Sequence, residues 1–280
     1  MPARVSEAAR MKIAIQEDML PGRTITEKFE RAADAGLHGI ELWARDLSQR
    51  IPEIAEAIIR TGVAVSAVHF GRQGRLLDAH PSERERALFD LRQAIMDSCD
   101  LGANTVLVVP AYHGTTLPDL TPLISSEQLE KELFHAHMRT LGDYANAMGG
   151  SILITALNRY ETHLVKRIST AAEMAQRVNS PAMGVAAGTF HMALEEGDLA
   201  AAIRAGRDDL RYLHIADSHR GLPGTGAFNW GSIGAALNEI GYQGWLSLEC
   251  GTPGDNHAQA EGFYQGLPAA LEALRAAGIN

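Results

Sequence analysis

Residues 151–157 read Ser-Ile-Leu-Ile-Thr-Ala-Leu, an almost uninterrupted apolar run with helical patterns on either side. Seven similar runs occur elsewhere in the chain, which makes eight predicted strands. Runs of this kind are typical of parallel strands that have a packed core on one face and helices on the other. The predicted strands are Lys12–Gln16, Gly39–Trp43, Ala64–His69, Thr105–Pro110, Ser151–Leu157, Gly184–Ala187, Leu213–Ala216 and Trp245–Glu249.

The eight strands and the helices between them follow one another without a change of composition. This order predicts an α/β fold, a single (β/α)8 TIM barrel that occupies residues 11–280 after an N-terminal extension of residues 1–10. A doubly wound sheet is the alternative, but eight regular units in one run favour a closed barrel. The longest insertion, Tyr112–Ser126, follows the fourth strand and is interpreted as a lid.

Several helix boundaries carry recognisable signals. Thr24 with Glu27, and Ser82 with Glu85, have the spacing of a capping box, in which the hydroxyl accepts a backbone N–H and the carboxylate caps in return. Glycines that follow helical stretches predict left-handed residues that close the helices, at Gly36, Gly62, Gly102 and Gly149.

The composition is that of an ordinary globular protein. Hydrophobic residues make up 46% and charged residues 21%, which excludes a disordered or fibrous chain. A total of 25 Lys and Arg against 34 Asp and Glu leaves a net charge of −9, which disfavours nucleic acid as a partner. No stretch approaches the roughly 18 apolar residues that span a membrane. The two cysteines, Cys99 and Cys250, are too few for a disulfide framework and fit a reducing compartment. Together with the lack of a long apolar stretch, this predicts a soluble cytoplasmic protein with no membrane partner.

Polar residues are found where the predicted strands end. In (β/α)8 barrels the chemistry lies at the carboxyl ends of the strands and in the loops that follow them. In the second half of the chain these positions hold Glu161, His191, His214, Arg220 and Glu249. In the first half they hold Glu17, Glu41, Trp43, His69, Tyr112 and His113.

Five sequence blocks follow one another along the second half of the barrel. They are LNRYETH at 157–163, TFHM at 189–192, HIADS at 214–218, PGTG at 223–226 and GYQGWLSLE at 241–249. These blocks resemble the xylose-isomerase-like sugar isomerase/epimerase family, in particular its ketose (tagatose/psicose) 3-epimerase branch. The similarity extends over nearly the whole chain from Met11 onward. It implies a barrel enzyme with a small sugar-like substrate.

The resemblance also implies a divalent metal that is held by a Glu, an Asp, a His and a Glu, one from each of strands five to eight. The corresponding positions here are Thr155, Gly188, His214 and Glu249, so only the last two match. A divalent cation prefers several oxygen ligands, and carboxylates compensate most of its charge. We therefore expect no tightly bound metal and no other cofactor, although His214 and Glu249 with water leave weak binding of Mn²⁺ or Mg²⁺ open.

The positions that match the family suggest proton-transfer chemistry. Glu249 is the expected base, and His191 and His214 are the expected acids or carbonyl-polarising groups. Thr155 cannot serve as a second base, because a hydroxyl is too weakly basic near neutral pH. The leading hypothesis is therefore chemistry on one face of the substrate, such as β-elimination, ring opening or a 1,2-proton shift.

Further residues are expected to contact the substrate. Glu161, His191 and Arg220 match family positions that contact substrate oxygens near the metal. Without the metal, Arg220 and the imidazoles would neutralise an enolate oxygen. Trp43 and His69 are further candidates for substrate binding, although core packing is the favoured role of Trp43.

Some of these residues have structural alternatives. Glu161 either contacts the substrate or simply pairs with Arg159. Arg72 and Arg75 either bind an anion or belong to a solvated loop, and the loop is favoured. The small residues Thr155 and Gly188 suggest extra room for a ligand larger than a free ketose.

Two rival functions remain open. One is an ordinary Mn²⁺-dependent ketose 3-epimerase that has rebuilt its ligand set, and the other is a catalytically silent barrel that binds a sugar or a partner subunit. Endonuclease IV, a DNA-repair relative with the same fold, is a poor third because the chain has too few candidate ligands and the wrong charge. A homodimer is the default expectation for the assembly.

Overall fold

The computed structural model describes residues 11–72, 75–112, 114–251 and 257–279. The predicted N-terminal extension, residues 1–10, and His113 lie outside the described residues, so the division into extension and barrel stays a prediction. Eight parallel strands form one closed barrel in sequence order, in which the last strand pairs with the first. The prediction of an α/β barrel is confirmed.

Strands and helices alternate along the chain. The strands are β1 Lys12–Gln16, β2 Gly39–Trp43, β3 Ala64–His69, β4 Thr105–Val108, β5 Ser151–Thr155, β6 Met183–Gly188, β7 Leu210–Ile215 and β8 Trp245–Leu248. The described helices are α1 Ile25–Asp34, α2 Leu47–Thr61, α3 Pro81–Asp100, α4 Ser126–Ala147, α5 Ile168–Val178, α6 Thr189–Glu195, α7 Leu199–Ala205, α8 Trp230–Glu239 and α9 His257–Ala276, with a 3₁₀ helix at Glu17–Met19. None of these helices is long and apolar enough to cross a membrane.

The strand boundaries agree closely with the prediction. Strands β1 to β3 have the predicted bounds, and the other five differ by one to three residues at an end. Strand β5 ends at Thr155, and two residues later Leu157 donates its N–H to the carbonyl of Val165 in the following loop. Strand β7 begins three residues earlier than predicted, because the exposed Arg211 interrupts the apolar pattern on which the prediction depended.

Two hydrophobic cores stabilise the barrel. The larger lies between the outer face of the sheet and the helices, and the smaller fills the barrel interior. The bulky Tyr212 is accommodated in the interior because small side chains lie on other strands. The members of this inner core are Ala67, Leu107, Leu153, Ala186 and Tyr212. Since Tyr212 and His214 are two residues apart on β7, both point into the barrel, with His214 nearer the carboxyl end.

The helix-capping predictions are confirmed at one position and wrong at the other. Thr24 caps α1, and its Oγ1 accepts the N–H of Glu27 at 3.2 Å, while the carboxylate of Glu27 accepts the N–H of Arg23 at 2.6 Å. Ser82 is not a cap, because α3 begins at Pro81 with His80 as its N-cap. Proline at the first helical position has a backbone angle that suits a helix start. The four glycines predicted to close helices, Gly36, Gly62, Gly102 and Gly149, have φ between 72° and 74°.

The segment that was interpreted as a lid is an irregular loop. Between Gly114 and Ser125 the only bridge in the described residues joins Leu120 and Ile124. Helix α4 begins at Ser126, and the hydroxyl of Ser125 caps it. Its role as a lid stays a prediction.

Candidate active site

The seven residues that were predicted to form the site lie together at the carboxyl end of the barrel. Ring contacts and ion pairs link all of them into one cluster. They are Trp43 on β2, His69 on β3, Glu161 after β5, His191 in α6, His214 on β7, Arg220 after β7 and Glu249 after β8. Their proximity is a finding, and their individual roles stay predictions.

Glu249 lies at the centre of this cluster. Its Oε2 is 3.7 Å from Nε2 of His191 and 3.8 Å from Nδ1 of His214. Its Oε1 is 3.4 Å from Nη2 of Arg220. The backbone N–H of Glu249 donates to the carbonyl of Ile215 and so continues the pairing of β8 with β7. The sheet therefore holds this carboxylate at the rim of the barrel.

The ring of His191 has a defined tautomer. Its Nδ1 accepts the backbone N–H of Asn158 at 3.3 Å, and the side-chain amide of Asn158 lies 2.8 Å from the same atom. Because a backbone N–H can only donate, we assign the ring proton of the neutral imidazole to Nε2. This N–H faces Glu249 and has no hydrogen-bond partner among the described residues.

Glu41 belongs to the site; the sequence places it among the polar residues at the strand ends but assigns it no role. It is 1% exposed. Its Oε2 accepts hydrogen bonds from Nε2 of His214 and from the hydroxyl of Tyr212, both at 2.8 Å, and its Oε1 accepts one from Gln16 at 3.0 Å. The signal that could have found it is a carboxylate inside an otherwise apolar strand, which is costly to bury without partners.

The clustered charges shift the pKa values of the site. Burial alone would lower the pKa of His214, but the carboxylates of Glu41 and Glu249 outweigh burial and raise it to about 9. Burial alone would raise the pKa of Glu249, but His214, His191 and Arg220 together hold it well below its usual range. Burial lowers the pKa of His69. At neutral pH the site thus holds ionised Glu249 beside protonated His214.

Arg220 bridges two carboxylates of the site. Its Nη1 donates to Glu161 at 3.1 Å, and its Nη2 donates to Glu249 at 3.4 Å. The alternative pairing of Glu161 with Arg159 is wrong, because Arg159 donates instead to Glu195 at 2.8 Å. Glu161 is therefore tied to the same guanidinium as the expected base.

Trp43 and His69 form one wall of the site. Their ring centroids are 4.8 Å apart, and the ring of His69 stacks at 6.0 Å from that of His214. The indole N–H of Trp43 donates to Asp18 at 2.7 Å. Trp43 is half-buried and lies outside the described hydrophobic cores, and its role in substrate binding or packing stays a prediction.

The loop that carries Arg220 is organised by a buried carboxylate, Asp217. This side chain accepts four hydrogen bonds at 2.7–3.1 Å and is 0% exposed. The donors are the backbone N–H groups of Ser218, Gly224 and Phe228 and the indole N–H of Trp230. Asp217 therefore fixes the loop rather than facing a ligand.

The positions that the resemblance assigns to metal ligands offer few donors. Thr155 Oγ1 is buried without a hydrogen-bond partner among the described residues, and Gly188 has no side chain. A Cβ at Gly188 would lie 3.0 Å from Cδ2 of His191 and 3.4 Å from Cβ of His214. These rings fill the space next to Gly188, so the expected extra room is not found there.

The donor chemistry of the described residues does not fit a four-ligand metal centre. Among them, no group of three or more His, Cys, Asp or Glu side chains is arranged to hold a metal ion. His214, one of the two matching positions, uses its Nε2 to bind Glu41. The remaining matching position, Glu249, is in contact with Arg220.

A closed parallel barrel with acidic and imidazole groups at the carboxyl ends of its strands is the architecture of a barrel enzyme. A sequence profile of the xylose isomerase-like TIM barrel family matches residues 29–275. The chain belongs to this family, as the sequence blocks predicted.

Several similar proteins are sugar epimerases. The chain is 28% identical over 252 residues to the 3-dehydro-D-guloside 4-epimerase of Escherichia coli (strain K12), an alignment that covers 89% of this chain and 96% of the relative. It is 38% identical over 114 residues to the L-ribulose 3-epimerase of Methylomonas sp. (strain DH-1), which covers 41% of this chain and 40% of that protein. The crystal structure of a 3-keto-D-glucoside 4-epimerase from E. coli matches with a TM-score of 0.83 at 25% identity, and covers 95% of this chain and 100% of that one. The chain is thus a member of the isomerase/epimerase superfamily of enzymes.

Proposed function

We propose that this enzyme transfers a proton at the carbon next to a carbonyl group of a sugar-like substrate, with isomerisation or elimination as the outcome. Glu249 removes the proton, and His191 and His214 donate hydrogen bonds to the carbonyl oxygen. Glu161 and Arg220 orient the hydroxyl groups of the substrate. The reaction proceeds without the tightly bound metal that the family resemblance implies.

The observation that carries this proposal is a carboxylate beside two ring N–H groups. Nε2 of His191 and Nδ1 of His214 lie 3.7 and 3.8 Å from Oε2 of Glu249, and neither has a hydrogen-bond partner among the described residues. A buried polar atom without a partner costs about 1–3 kcal/mol, and a substrate oxygen between the rings would satisfy both. The adjacent C–H group would then lie within reach of Glu249.

The charges support the formation of an enolate. When Glu249 removes the proton, negative charge develops on the carbonyl oxygen, beside the protonated ring of His214 and the guanidinium of Arg220. In an isomerisation, the proton is delivered to a different carbon and the carbonyl moves. In an elimination, the electron pair expels the substituent of the neighbouring carbon, and the leaving alkoxide takes a proton from an imidazole.

The low pKa of Glu249 in the free enzyme affects its strength as a base. While His191, His214 and Arg220 surround it, the carboxylate is ionised but weakly basic. A substrate oxygen that accepts the two ring hydrogen bonds draws those donors away from Glu249. Substrate binding therefore raises the basicity of the carboxylate at the position where it is needed.

The residues at the two unmatched ligand positions support the metal-free form of the reaction. Thr155 supplies a hydroxyl and Gly188 supplies no side chain, so neither adds negative charge. The charge that a divalent cation would contribute is supplied by His214 and Arg220. Because Thr155 is not a base, proton transfer takes place on the Glu249 side of the substrate.

The substrate class follows from the relatives. The chain aligns with 96% of a protein named 3-dehydro-D-guloside 4-epimerase, and with only 40% of one named L-ribulose 3-epimerase. We therefore propose a keto-sugar in glycosidic linkage as the substrate, in preference to a free ketose.

Hydrogen–deuterium exchange tests the proposal directly. The protein is incubated in D2O with methyl 3-keto-β-D-glucoside, and separately with D-psicose, while NMR follows the carbon-bound protons and any released methanol. We expect exchange or methanol release with the wild type, and a rate lower by about 10²–10⁴-fold in Glu249→Gln. The control Glu195→Gln removes a buried carboxylate that is paired with Arg159 outside the site, and should keep the wild-type rate.

The two rival functions are distinguished by the same samples. If exchange is as fast in Glu249→Gln as in the wild type, the proposed base is wrong, and if neither substrate reacts with any sample, a catalytically silent barrel is favoured. Stoichiometric manganese in active protein that was purified without chelator would favour a Mn²⁺-dependent ketose 3-epimerase. The predicted homodimer and cytoplasmic location stay predictions.

A further inference from the structure

A cavity lies beside the candidate active site, at the carboxyl ends of β3 and β4. Its volume is about 210 Å³, and it is formed by the loops that follow β3 and β4 together with Glu130 of α4. Pockets for complete small ligands typically measure roughly 300–1,000 Å³, so this cavity suits a single substituent rather than a second ligand. Its apolar walls include Phe70, Leu76, Leu77 and Val109.

The cavity and the candidate active site share structural elements. Gly71 lines the cavity and donates its N–H to Nδ1 of His69 at 2.9 Å. A Cβ at Gly71 would lie 3.3 Å from the ring of Trp43. Ala111 also lines the cavity, and its carbonyl accepts the hydroxyl of Thr162 at 2.6 Å, in the loop after β5. The loops that hold the site residues are therefore the loops that shape the cavity.

Tyr112 connects the two regions. Its ring lines the cavity and lies 4.8 Å from the guanidinium of Arg72. Burial raises the pKa of its hydroxyl, and the charges of Glu249 and Glu161 raise it further. The charged groups of the site therefore act electrostatically on a residue of the cavity wall.

Most charged groups of the cavity wall are paired, either with each other or with a residue outside the wall. Arg75 lies 2.9 Å from Asp78, and Glu130 lies 2.6 Å from Nε2 of His163. What remains is apolar and aromatic surface with hydrogen-bonding groups at its edge. A neutral substituent fits this surface better than a phosphate, because the walls provide no excess of positive charge.

We infer that the cavity binds the non-reacting substituent of a glycoside, an apolar or aromatic aglycone, while the sugar ring occupies the barrel mouth beside Glu249. This inference rests on the proposed function and narrows its substrate class to substituted sugars. The walls formed by Phe70, Leu76, Leu77 and Tyr112 provide the surface on which such a group packs.

Binding of unreactive sugars tests the inference without turnover. Isothermal titration calorimetry compares phenyl β-D-glucoside with methyl β-D-glucoside. We expect the wild type to bind the phenyl compound about tenfold more tightly, because only its ring enters the cavity.

A variant that fills the cavity provides the second test. Gly114 lines the cavity, a Cβ there would meet no atom within 4 Å, and its φ is not one that requires glycine. We expect Gly114→Phe to abolish the preference for the phenyl compound and to leave the affinity for methyl β-D-glucoside unchanged. Gly197→Phe is the matched control, because Gly197 has equally open surroundings and lies outside the cavity wall.

The possible outcomes separate this inference from the proposed function. Equal affinities of the wild type for the two glucosides, no binding of either, or an unchanged preference in Gly114→Phe would each overturn it. Deuterium exchange without a phenyl preference rejects the cavity assignment alone. A phenyl preference without exchange rejects the proposed chemistry, and the cavity remains a binding site.

Discussion

The ion pair of Glu41 and His214 should make the stability of the barrel depend on pH. Both side chains are 1% exposed, and Nε2 of the ring lies 2.8 Å from Oε2 of the carboxylate. Burial opposes the charged ring, but Glu41 and Glu249 raise the pKa of His214 from 6.5 to about 9. In the unfolded chain the ring titrates near its ordinary value of about 6.5. The folded protein therefore holds this proton more strongly than the unfolded chain.

The direction of the effect follows from this difference. A group whose pKa is higher in the folded protein stabilises the fold by its full amount at any pH below its pKa in the unfolded chain. This stabilisation is lost as the pH rises through the pKa of the group in the folded protein. The shift from 6.5 to about 9 corresponds to roughly 3 kcal/mol, at about 1.36 kcal/mol per pH unit. Between about pH 7 and about pH 9, the free energy of unfolding should fall by roughly 2 kcal/mol because of this group.

Glu41→Gln should remove most of this dependence. It should also lower the free energy of unfolding near neutral pH by about 3 kcal/mol, because one partner of a buried pair is lost. Urea unfolding, followed by circular dichroism at constant ionic strength, measures both effects. Glu195→Gln is the control, since the buried Glu195 pairs with an arginine that does not titrate in this range. Equal pH slopes in the wild type and Glu41→Gln would refute the reasoning, as would a pKa of His214 near 6.5 by NMR.

Three further predictions concern the site and its loops. Asp217→Asn should lower the free energy of unfolding in urea titrations by about 1–3 kcal/mol, because an amide cannot accept all four hydrogen bonds. An unchanged urea midpoint would show that the loop does not depend on these hydrogen bonds. The double variant Thr155→Glu, Gly188→Asp should bind Mn²⁺ more tightly than the wild type in calorimetry, because it adds two carboxylates. It should also lose activity, since the new Cβ at position 188 displaces the ring of His191. Tight binding of Mn²⁺ by the wild type would contradict the metal-free proposal. Arg220→Lys should raise KM more than it lowers kcat, because Lys keeps the positive charge that stabilises the enolate but cannot bridge two carboxylates as a guanidinium does. A loss confined to kcat would show that this bridge does not orient the substrate.

The barrel was predictable because strand formation and strand order depend on local pattern. Apolar runs such as Ala64–His69 have the predicted bounds, since both faces of a parallel strand in a covered barrel are buried. The wrong cap at Ser82 shows where local rules compete, because Pro81 already suits the helix start. These features involve neighbours in the chain, and the sequence contains all that is needed to infer them.

The site was predictable only in part. Glu161, His191 and Arg220 were found because they follow strands and match family blocks, and the closed barrel brings every strand end to the same rim. Glu41 was counted among the polar residues at the strand ends but was given no role, since its partner His214 is 173 positions away and no local pattern links the two. The room expected next to Gly188 was misjudged for a similar reason, because the ring of His191 fills it from the following helix.

The amino-acid sequence alone determined the class of fold and the succession of its strands, and it predicts the loss of two carboxylates from the family pattern. The tertiary structure decided which charges meet. In the folded barrel Glu41 contacts His214, and the backbone N–H of Asn158 sets the tautomer of His191. Arg220 joins Glu161 to Glu249. The physical reason is that the electrostatic energy of a pair of charged groups depends on the distance between its atoms and on their burial. Closure of the barrel sets both quantities, and the order of residues in the chain does not show them.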